Sequence, residues 1–375
     1  MKVVHILWGL HFGGIETLLV NMTNCQVQLG ADVTIIVIND MCEETLLRSI
    51  DKRIKLILFR KKVHSKNPKF ILRLSYELSK ITPDVVHLHS SKLFGIILNR
   101  KLSRVTCVTL HDLPQGPVRQ SNCLSRTFSI LNFLLPGNVA YIDKIPLVFS
   151  ISQAVQQDLK RKYNVDSIVV ANGIPTSLFQ QRPLRNSYMV KRIVQVSRLV
   201  HEKKGQDLLI KAVARMQGKV EVDFIGDGDS MSYLKELTRN LKAESFVHFL
   251  GNKTQVYITQ HLCDYDLLVQ PSRYEGFGLT VAEAMAAQLP VLVPAGQGPA
   301  EVTCGEKYGW TFENGSVSDL EKKIDCIFSN YDRALMKAEN AKNYVIDTYD
   351  MSITAKHYMQ EYERFHKKQS TCDLP

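Results

Sequence analysis

The 375-residue chain has eight cysteines (Cys25, Cys42, Cys107, Cys123, Cys263, Cys304, Cys326 and Cys372), but no Cys-x-x-Cys pair and no even framework. That scatter argues against a disulfide-stapled secreted domain and against a thiolate metal site. The thiols read as free, mostly buried small apolar side chains in a reducing compartment. Long apolar runs are also missing. The best stretch, 128–136, is far short of the roughly 18 to 20 residues a spanning helix needs. At the start, one Lys precedes Val3-Val4-His5-Ile6-Leu7-Trp8, and Gly9 interrupts the run at once. A signal peptide needs a longer apolar region and a small-residue cleavage site, so this run is expected to be a first strand and the protein cytoplasmic. No G-x-G-x-x-G follows it, which counts against a dehydrogenase. No aromatic-interleaved basic motif, zinc-finger spacing or RNA-binding signature is present, so nucleic acid is not the expected partner.

What is present fits a globular protein of two ordinary domains: 375 residues, 45% apolar and 22% charged. The formal net charge of +10 is unevenly placed. Residues 1–150 hold 19 Lys and Arg against 10 Asp and Glu, whereas residues 151–375 hold 28 against 27. A basic first half calls for an anionic partner there, either a phosphate-bearing substrate or an acidic lipid surface.

Short β-branched runs alternate with helical periods. Strands are expected over 2–7, 32–38, 54–58, 85–88, 106–110 and 147–150, with helices such as 16–29 and 70–81 between them. Near 172–190 the pattern lapses into Asn172-Gly173-Ile174-Pro175 and a polar stretch. It restarts with strands over 192–196, 221–225, 246–249, 266–269 and 291–293, and helices over 206–216, 230–241, 281–287 and 318–329. Such alternation implies βαβ units and parallel sheets covered on both faces. The economical fold class is α/β, two Rossmann-like doubly wound domains facing a central cleft. Residues 1–175 would form the first domain, 176–190 a linker and 191–351 the second. The helical segment 351–368, with Tyr358, Tyr362 and Phe365 on one side, either caps the second domain or crosses back to the first.

Ligands of open α/β sheets sit at the carboxyl ends of strands, and the motifs of this chain lie at such ends. Glu275 and Glu283 flank Gly276-Phe277-Gly278-Leu279-Thr280, between the apolar run 266–269 and an alanine-rich helix. The unpaired N–H groups at a helix start suit a phosphate, and a carboxylate grips sugar hydroxyls. Glu283 would lie in the first helical turn, and Thr280-x-x-Glu283 also fits a capping box that merely closes the helix end. Arg198, Lys203 and Lys204 follow the strand 192–196. They suit the charge of a departing diphosphate, the alternative being a solvated charge run. Gly13-Gly14 after the first strand would let a diphosphate approach the backbone, although such turns occur in many folds. His111-Asp112 ends the strand 106–110, and His111 either donates to a sugar hydroxyl or phosphate or is a satisfied structural residue. His5, His87 and His89 read as structural.

Taken in order, these pieces resemble the large retaining glycosyltransferase family of GT-B fold often called family 4, or glycosyltransferase group 1. The matching residues are Gly13-Gly14-Ile15-Glu16-Thr17, His111-Asp112, Asn172-Gly173, Ser197-Arg198-Leu199, Lys203-Lys204-Gly205-Gln206-Asp207, Gly226-Asp227-Gly228, Phe249-Leu250-Gly251, Pro271-Ser272-Arg273-Tyr274 leading into the Glu275 to Glu283 signature, and Gly298-Pro299-Ala300-Glu301-Val302. The resemblance spans nearly the whole chain. It implies an acceptor-binding first domain, to which 352–375 would cross back, and a second domain that binds a nucleotide diphosphate sugar. Glu283 would hold the ribose hydroxyls and Glu275 would stand near the donor sugar. Arg198 and Lys204, with Lys203 as the competing lysine, would hold the diphosphate. Backbone N–H groups of Phe277, Gly278 and Leu279 and the Gly13-Gly14 turn would complete its cradle, and His111 would touch the donor sugar or the acceptor. Glu275, His111, Arg198 and Lys204 are thus the expected catalytic group. No metal and no cofactor are implied, the basic pair replacing the metal, and Gly226-Asp227-Gly228-Asp229 reads as a glycine turn. Two departures from the family pattern stand out: the doubled lysine, and Met351 where many relatives start the last helix with an aromatic.

The expected reaction moves a glycosyl group, with retention, to a hydroxyl of a glycan or lipid-linked acceptor in cell-surface polysaccharide or glycolipid assembly. Arg60-Lys61-Lys62, Lys66, Lys69, Arg119, Arg126 and the apolar 128–135 would suit peripheral contact with an acidic membrane at its inner face, or else form a solvated loop beside a core helix. A sugar-nucleotide epimerase of the same architecture and a non-catalytic nucleotide-binding protein are the competing readings.

Overall fold

The computed structural model describes residues 1–11, 13–65, 67–114, 141–181 and 190–372, with side chains through 369. Two compact units emerge, 1–173 with 351–375 and 174–350. The first sheet has seven strands: β1 (Lys2–Leu7), β2 (Asp32–Asn39), β3 (Lys55–Lys61), β4 (Val85–Leu88), β5 (Thr106–Leu110), β6 (Leu147–Ser150) and β7 (Ile168–Val169). Their order is β3-β2-β1-β4-β5-β6-β7, and every pairing is parallel. The second sheet has six: β8 (Lys191–Val196), β9 (Val220–Ile225), β10 (Val247–Gly251), β11 (Leu267–Val269), β12 (Val291–Pro294) and β13 (Trp310–Phe312). Its order is β10-β9-β8-β11-β12-β13, again wholly parallel. Each sheet starts in its middle, winds out to one edge, then returns and winds to the other, which is the doubly wound α/β class expected from the sequence.

Parallel sheets covered by helices on both faces need continuous apolar runs. All four residues of β4 and of β12 are buried. Every expected strand is found, within about three residues at either end. The structure adds two short strands, β7 and β13.

The units divide at Gly173/Ile174 and at Asp350/Met351. As far as it is described, the segment expected to be a linker from 176 packs with the second unit. Thr176 donates to Asp350 Oδ2 (2.5 Å) and the Gln180 N–H to the Thr259 carbonyl (2.9 Å). The helix Met351–Cys372 belongs to the first unit and packs on the helix Gly14–Gln28. Met351, Tyr358, Tyr362 and Phe365 are buried. The flexible Met351 thus fills an apolar position where the family pattern has an aromatic.

One expectation fails. Of the six described cysteines only Cys107 and Cys263 are buried, while Cys304 and Cys326 are exposed. Both exposed thiols lie on or beside helices whose apolar contacts come from other residues. Among the described residues no helix is long and apolar enough to cross a membrane.

Candidate active site

In the second sheet β8 and β11 are neighbours from which the chain leaves in opposite directions, the topological switch where doubly wound sheets bind ligands. The connection after β8 carries Arg198 and then a short helix, His201–Lys204, with Lys203 and Lys204, and the loop after β11 carries Glu275. Glycines bring the two loops together. Gly205 has φ +68°, and a Cβ there would lie 2.0 Å from the Pro271 carbonyl oxygen. The Arg273 N–H donates to the Lys203 carbonyl (2.9 Å). The result is an ion pair across the switch point, Lys204 Nζ donating to Glu275 Oε2, with both side chains largely enclosed. Both adjacent lysines touch the second motif, Lys203 through its carbonyl and Lys204 through its ammonium. Arg198 is exposed at the same strand end.

Neighbouring loops close the rim. The turn Gly226–Gly228 after β9 packs on the β8 loop, a Cβ at Gly226 falling 2.0 Å from the Ser197 carbonyl oxygen. The loop after β12 packs on Gly276, a Cβ at Gly298 falling 2.2 Å from its carbonyl oxygen, and the Gly298 N–H donates to the Glu275 carbonyl (3.1 Å). Gln297 Oε1 accepts from the Glu275 N–H (3.2 Å). Asp227 is exposed, and its carboxylate accepts from the Gly228 N–H (2.7 Å), as a glycine turn requires.

The helix after β11 is Leu279–Ala286. The Gly278 carbonyl accepts from Val281 and Ala282. The N–H groups of Gly278, Leu279 and Thr280 therefore stand ahead of the first intrahelical bond, at the positive end of the dipole. Phe277 is buried and sets its ring edge-on to Tyr349 at 5.4 Å, which anchors this turn.

The capping-box alternative does not hold. Gly278 is the N-cap and no side chain caps the helix. Thr280, inside the first turn, donates to Gln270 Oε1 (3.3 Å). Glu283 lies one turn deeper than expected, where Gln255 Nε2 donates to its Oε1 (3.0 Å). Burial pushes the Glu283 carboxyl up to about 7, against the opposing Gln255 bond. A carboxylate so placed is short of partners, which suits it to hydroxyl donors.

Sequence reasoning gave no role to several residues that hold the rim. Arg273 forms a two-pronged pair with Asp207 (2.8 and 2.9 Å) and donates to the His201 carbonyl (2.6 Å). Burial opposes ionisation of Asp207, but the Arg273 guanidinium outweighs it and holds the carboxyl below its ordinary value. Gln206 Nε2 donates to the Arg198 carbonyl and Gln195 Nε2 to the Lys204 carbonyl (both 2.9 Å). Polar residues inside apolar runs, such as Gln195 in β8, were the available signal. Gly13, Gly14 and His111 belong to the first unit, at the ends of β1 and β5. The Glu16 carboxylate folds back over Gly13. His111 Nε2 lies 3.1 Å from His89 Nδ1.

Comparison with known proteins decides the family. Residues 12–178 match the family described as Glycosyltransferase Family 4, and residues 179–344 match Glycosyl transferases group 1. The chain belongs to the group 1 glycosyltransferases. An uncharacterized glycosyltransferase of Methanocaldococcus jannaschii is 26% identical over 272 residues, 70% of each chain. The poly(ribitol-phosphate) alpha-N-acetylglucosaminyltransferase of Staphylococcus aureus is 26% identical over 214 residues, 55% of this chain and 42% of that protein. Among solved structures, Anabaena HepE in complex with UDP and glucose superposes with TM-score 0.79 at 21% identity, over 97% of this chain and 99% of that one. The fold class of this group 1 glycosyltransferase is accordingly GT-B.

Proposed function

We propose that this enzyme transfers a sugar, with retention, from a nucleotide diphosphate sugar to a hydroxyl of a glycan or lipid-linked acceptor in cell-surface polysaccharide or glycolipid assembly. The observation that carries this reading is the junction of Lys204 with Glu275 across the β8/β11 switch, with Arg198 exposed after β8 and Glu283 in the second turn of the helix that follows β11. Lys204 and Arg198 neutralise the diphosphate as it leaves, in place of a metal. Glu275 faces the donor sugar, Glu283 holds the ribose, and the N–H groups of Phe277, Gly278 and Leu279 receive the phosphate. The HepE complex with UDP and glucose and the polymer-modifying staphylococcal relative support the donor and acceptor classes.

A thermal-shift panel of nucleoside diphosphates tests this, since a ligand of the folded state alone raises its melting temperature. Glu283 supplies the sign of the pH dependence. Hydroxyl donors favour the ionised carboxylate, so binding is expected to tighten about tenfold between pH 6 and pH 8 as Glu283 loses its proton near 7. Without ligand, the folded chain between the ordinary carboxylate range and pH 7 keeps a proton that the unfolded chain has lost, so stability falls as pH rises through that window. Absence of any shift with all nucleotides, or a shift indifferent to pH, would count against the assignment.

The first unit is proposed to touch acidic membrane. Arg60 and Lys61 close β3, Lys62 follows it, Lys69 opens the helix Lys69–Ile81, and Leu72 and Tyr76 are exposed on it. Lys66, Arg119, Arg126 and 128–135 lie outside the described residues. Flotation with acidic vesicles is expected to carry the chain, and neutralising Arg60, Lys61, Lys62 and Lys69 to abolish it. Equal recovery with neutral vesicles would overturn the contact.

A further inference from the structure

Four histidines of the first unit form a continuous row, His5 and His87 buried and His89 and His111 half-buried. Their rings stack, His5 on His89 at 5.4 Å, His87 on His89 at 4.5 Å and His89 on His111 at 5.3 Å. Nitrogens of His5, His87 and His89 lie within 4.8 Å of one another, a spacing a metal ion can bridge. Every ring nitrogen of those three is already engaged, however. His5 Nε2 meets Gln26 Oε1 (2.8 Å) and His5 Nδ1 meets His89 Nε2 (3.1 Å); His89 Nδ1 meets His111 Nε2 (3.1 Å). His87 meets the Tyr362 hydroxyl through Nδ1 (2.5 Å) and Thr109 Oγ1 through Nε2 (2.8 Å). The row is a hydrogen-bonded chain with one loose end, because His111 Nδ1 is buried and has no hydrogen-bond partner.

Burial lowers the basicity of all four rings, His5 and His111 to about 4 and His87 and His89 well below their ordinary value. Gln26 opposes the drop at His5 and Asp112 at His111, while neighbouring histidines deepen it at His87 and His89. At neutral pH each ring is therefore uncharged, with one N–H donor and one bare acceptor nitrogen. Fixing one tautomer then fixes the next. Gln26 Oε1 can only accept, so His5 carries its proton on Nε2 and offers a bare Nδ1. His89 must donate from Nε2 and offer Nδ1, and His111 must donate from Nε2. The Gln26 Nε2 is buried and closes no hydrogen bond, so the amide meets the row through Oε1 alone.

We propose that Gln26, acting through His5 and His89, holds His111 in the Nε2–H tautomer, so that its bare Nδ1 accepts a hydrogen bond from a substrate hydroxyl. This rests on the glycosyl-transfer reading for the identity of the hydroxyl, whereas the relay is a property of the folded chain alone. Gln26, His5 and His89 are positioning residues, and His111 is the group that meets the sugar. A substrate carrying fluorine or a methoxy group in place of that hydroxyl would lose the contact.

Long-range ¹H–¹⁵N spectra of the full-length, histidine-labelled protein read the tautomers directly. His5, His89 and His111 are expected as Nε2–H forms. Gln26→Met, which removes the acceptor, should convert His111 to a tautomer mixture and lower kcat about tenfold with the donor KM unchanged. Gln26→Glu keeps an acceptor oxygen and should restore both the spectrum and kcat. An Nδ1–H signal from His111 in the unaltered protein, or a Gln26→Met spectrum identical to it, would overturn the relay. A protein with the expected tautomers that turns over no nucleotide sugar would remove the transferase reading and leave the relay standing.

Discussion

Lys204→Ala is expected to lower kcat by about 10²- to 10³-fold, because it removes a cation aimed at charge that develops on the departing diphosphate. Lys204 also holds Glu275, and the two side chains are only 16% and 17% exposed, so truncation leaves a carboxylate partly stranded. Breaking such a pair should cost about 2 kcal/mol, between the small values of surface pairs and the larger ones of fully buried pairs. A double variant separates the two effects. Lys204→Met with Glu275→Gln removes both charges, and its melting temperature should recover most of the loss while transfer stays as slow as in the single variant. Full activity in Lys204→Ala, with Lys203→Ala inactive, would assign the diphosphate to the other lysine.

Gly205→Ala should cost at least about 3 kcal/mol of second-unit stability, among the largest effects of a single methyl group. The left-handed backbone at φ +68° accounts for roughly 1 kcal/mol. The remainder comes from a Cβ placed 2.0 Å from backbone, the Pro271 carbonyl oxygen, which cannot swing away as a side chain does. Gly251→Ala is the matched control. Its φ is +67° with nothing within 4 Å of the added carbon, so it should lose only the backbone share, about 1 kcal/mol. Equal melting temperatures for the two variants would show that the loops after β8 and β11 do not depend on that close approach. Because those loops carry Lys204 and Glu275, Gly205→Ala should also slow transfer in the fraction that remains folded.

Much of this architecture was legible because parallel strands buried on both faces leave long β-branched runs, as in β1, β4 and β12. The two strands that sequence reading missed are β7, with two residues, and β13, with three, too short for any period to show. The helix Tyr331–Tyr349 went unread because its buried stripe is Ala334, Ala338, Ala341, Val345 and Tyr349, mostly small side chains with little apolar contrast. At the site, the glycines and charged residues of the motifs stood out in sequence. What could not be read was direction: that Glu283 turns to Gln255 rather than to its own helix end, and that Arg273 clamps Asp207. Those pairings join residues 28 and 66 positions apart, and only the sheet order brings them together. His5, His87 and His89 were read as structural, and their link to His111 depends on neighbouring strands and not on spacing along the chain.

The helix Met351–Cys372 also governs the order of assembly. It supplies Tyr358 and Tyr362 to the interior of the first unit, beside His87 and Phe149, although it is made after the whole of the second unit. The second unit, 174–350, is contiguous and has its own core. During synthesis it can close while the earlier-made unit still waits for its final segment. Translation therefore leaves the amino-terminal half with an open apolar face for as long as it takes to make some 200 further residues.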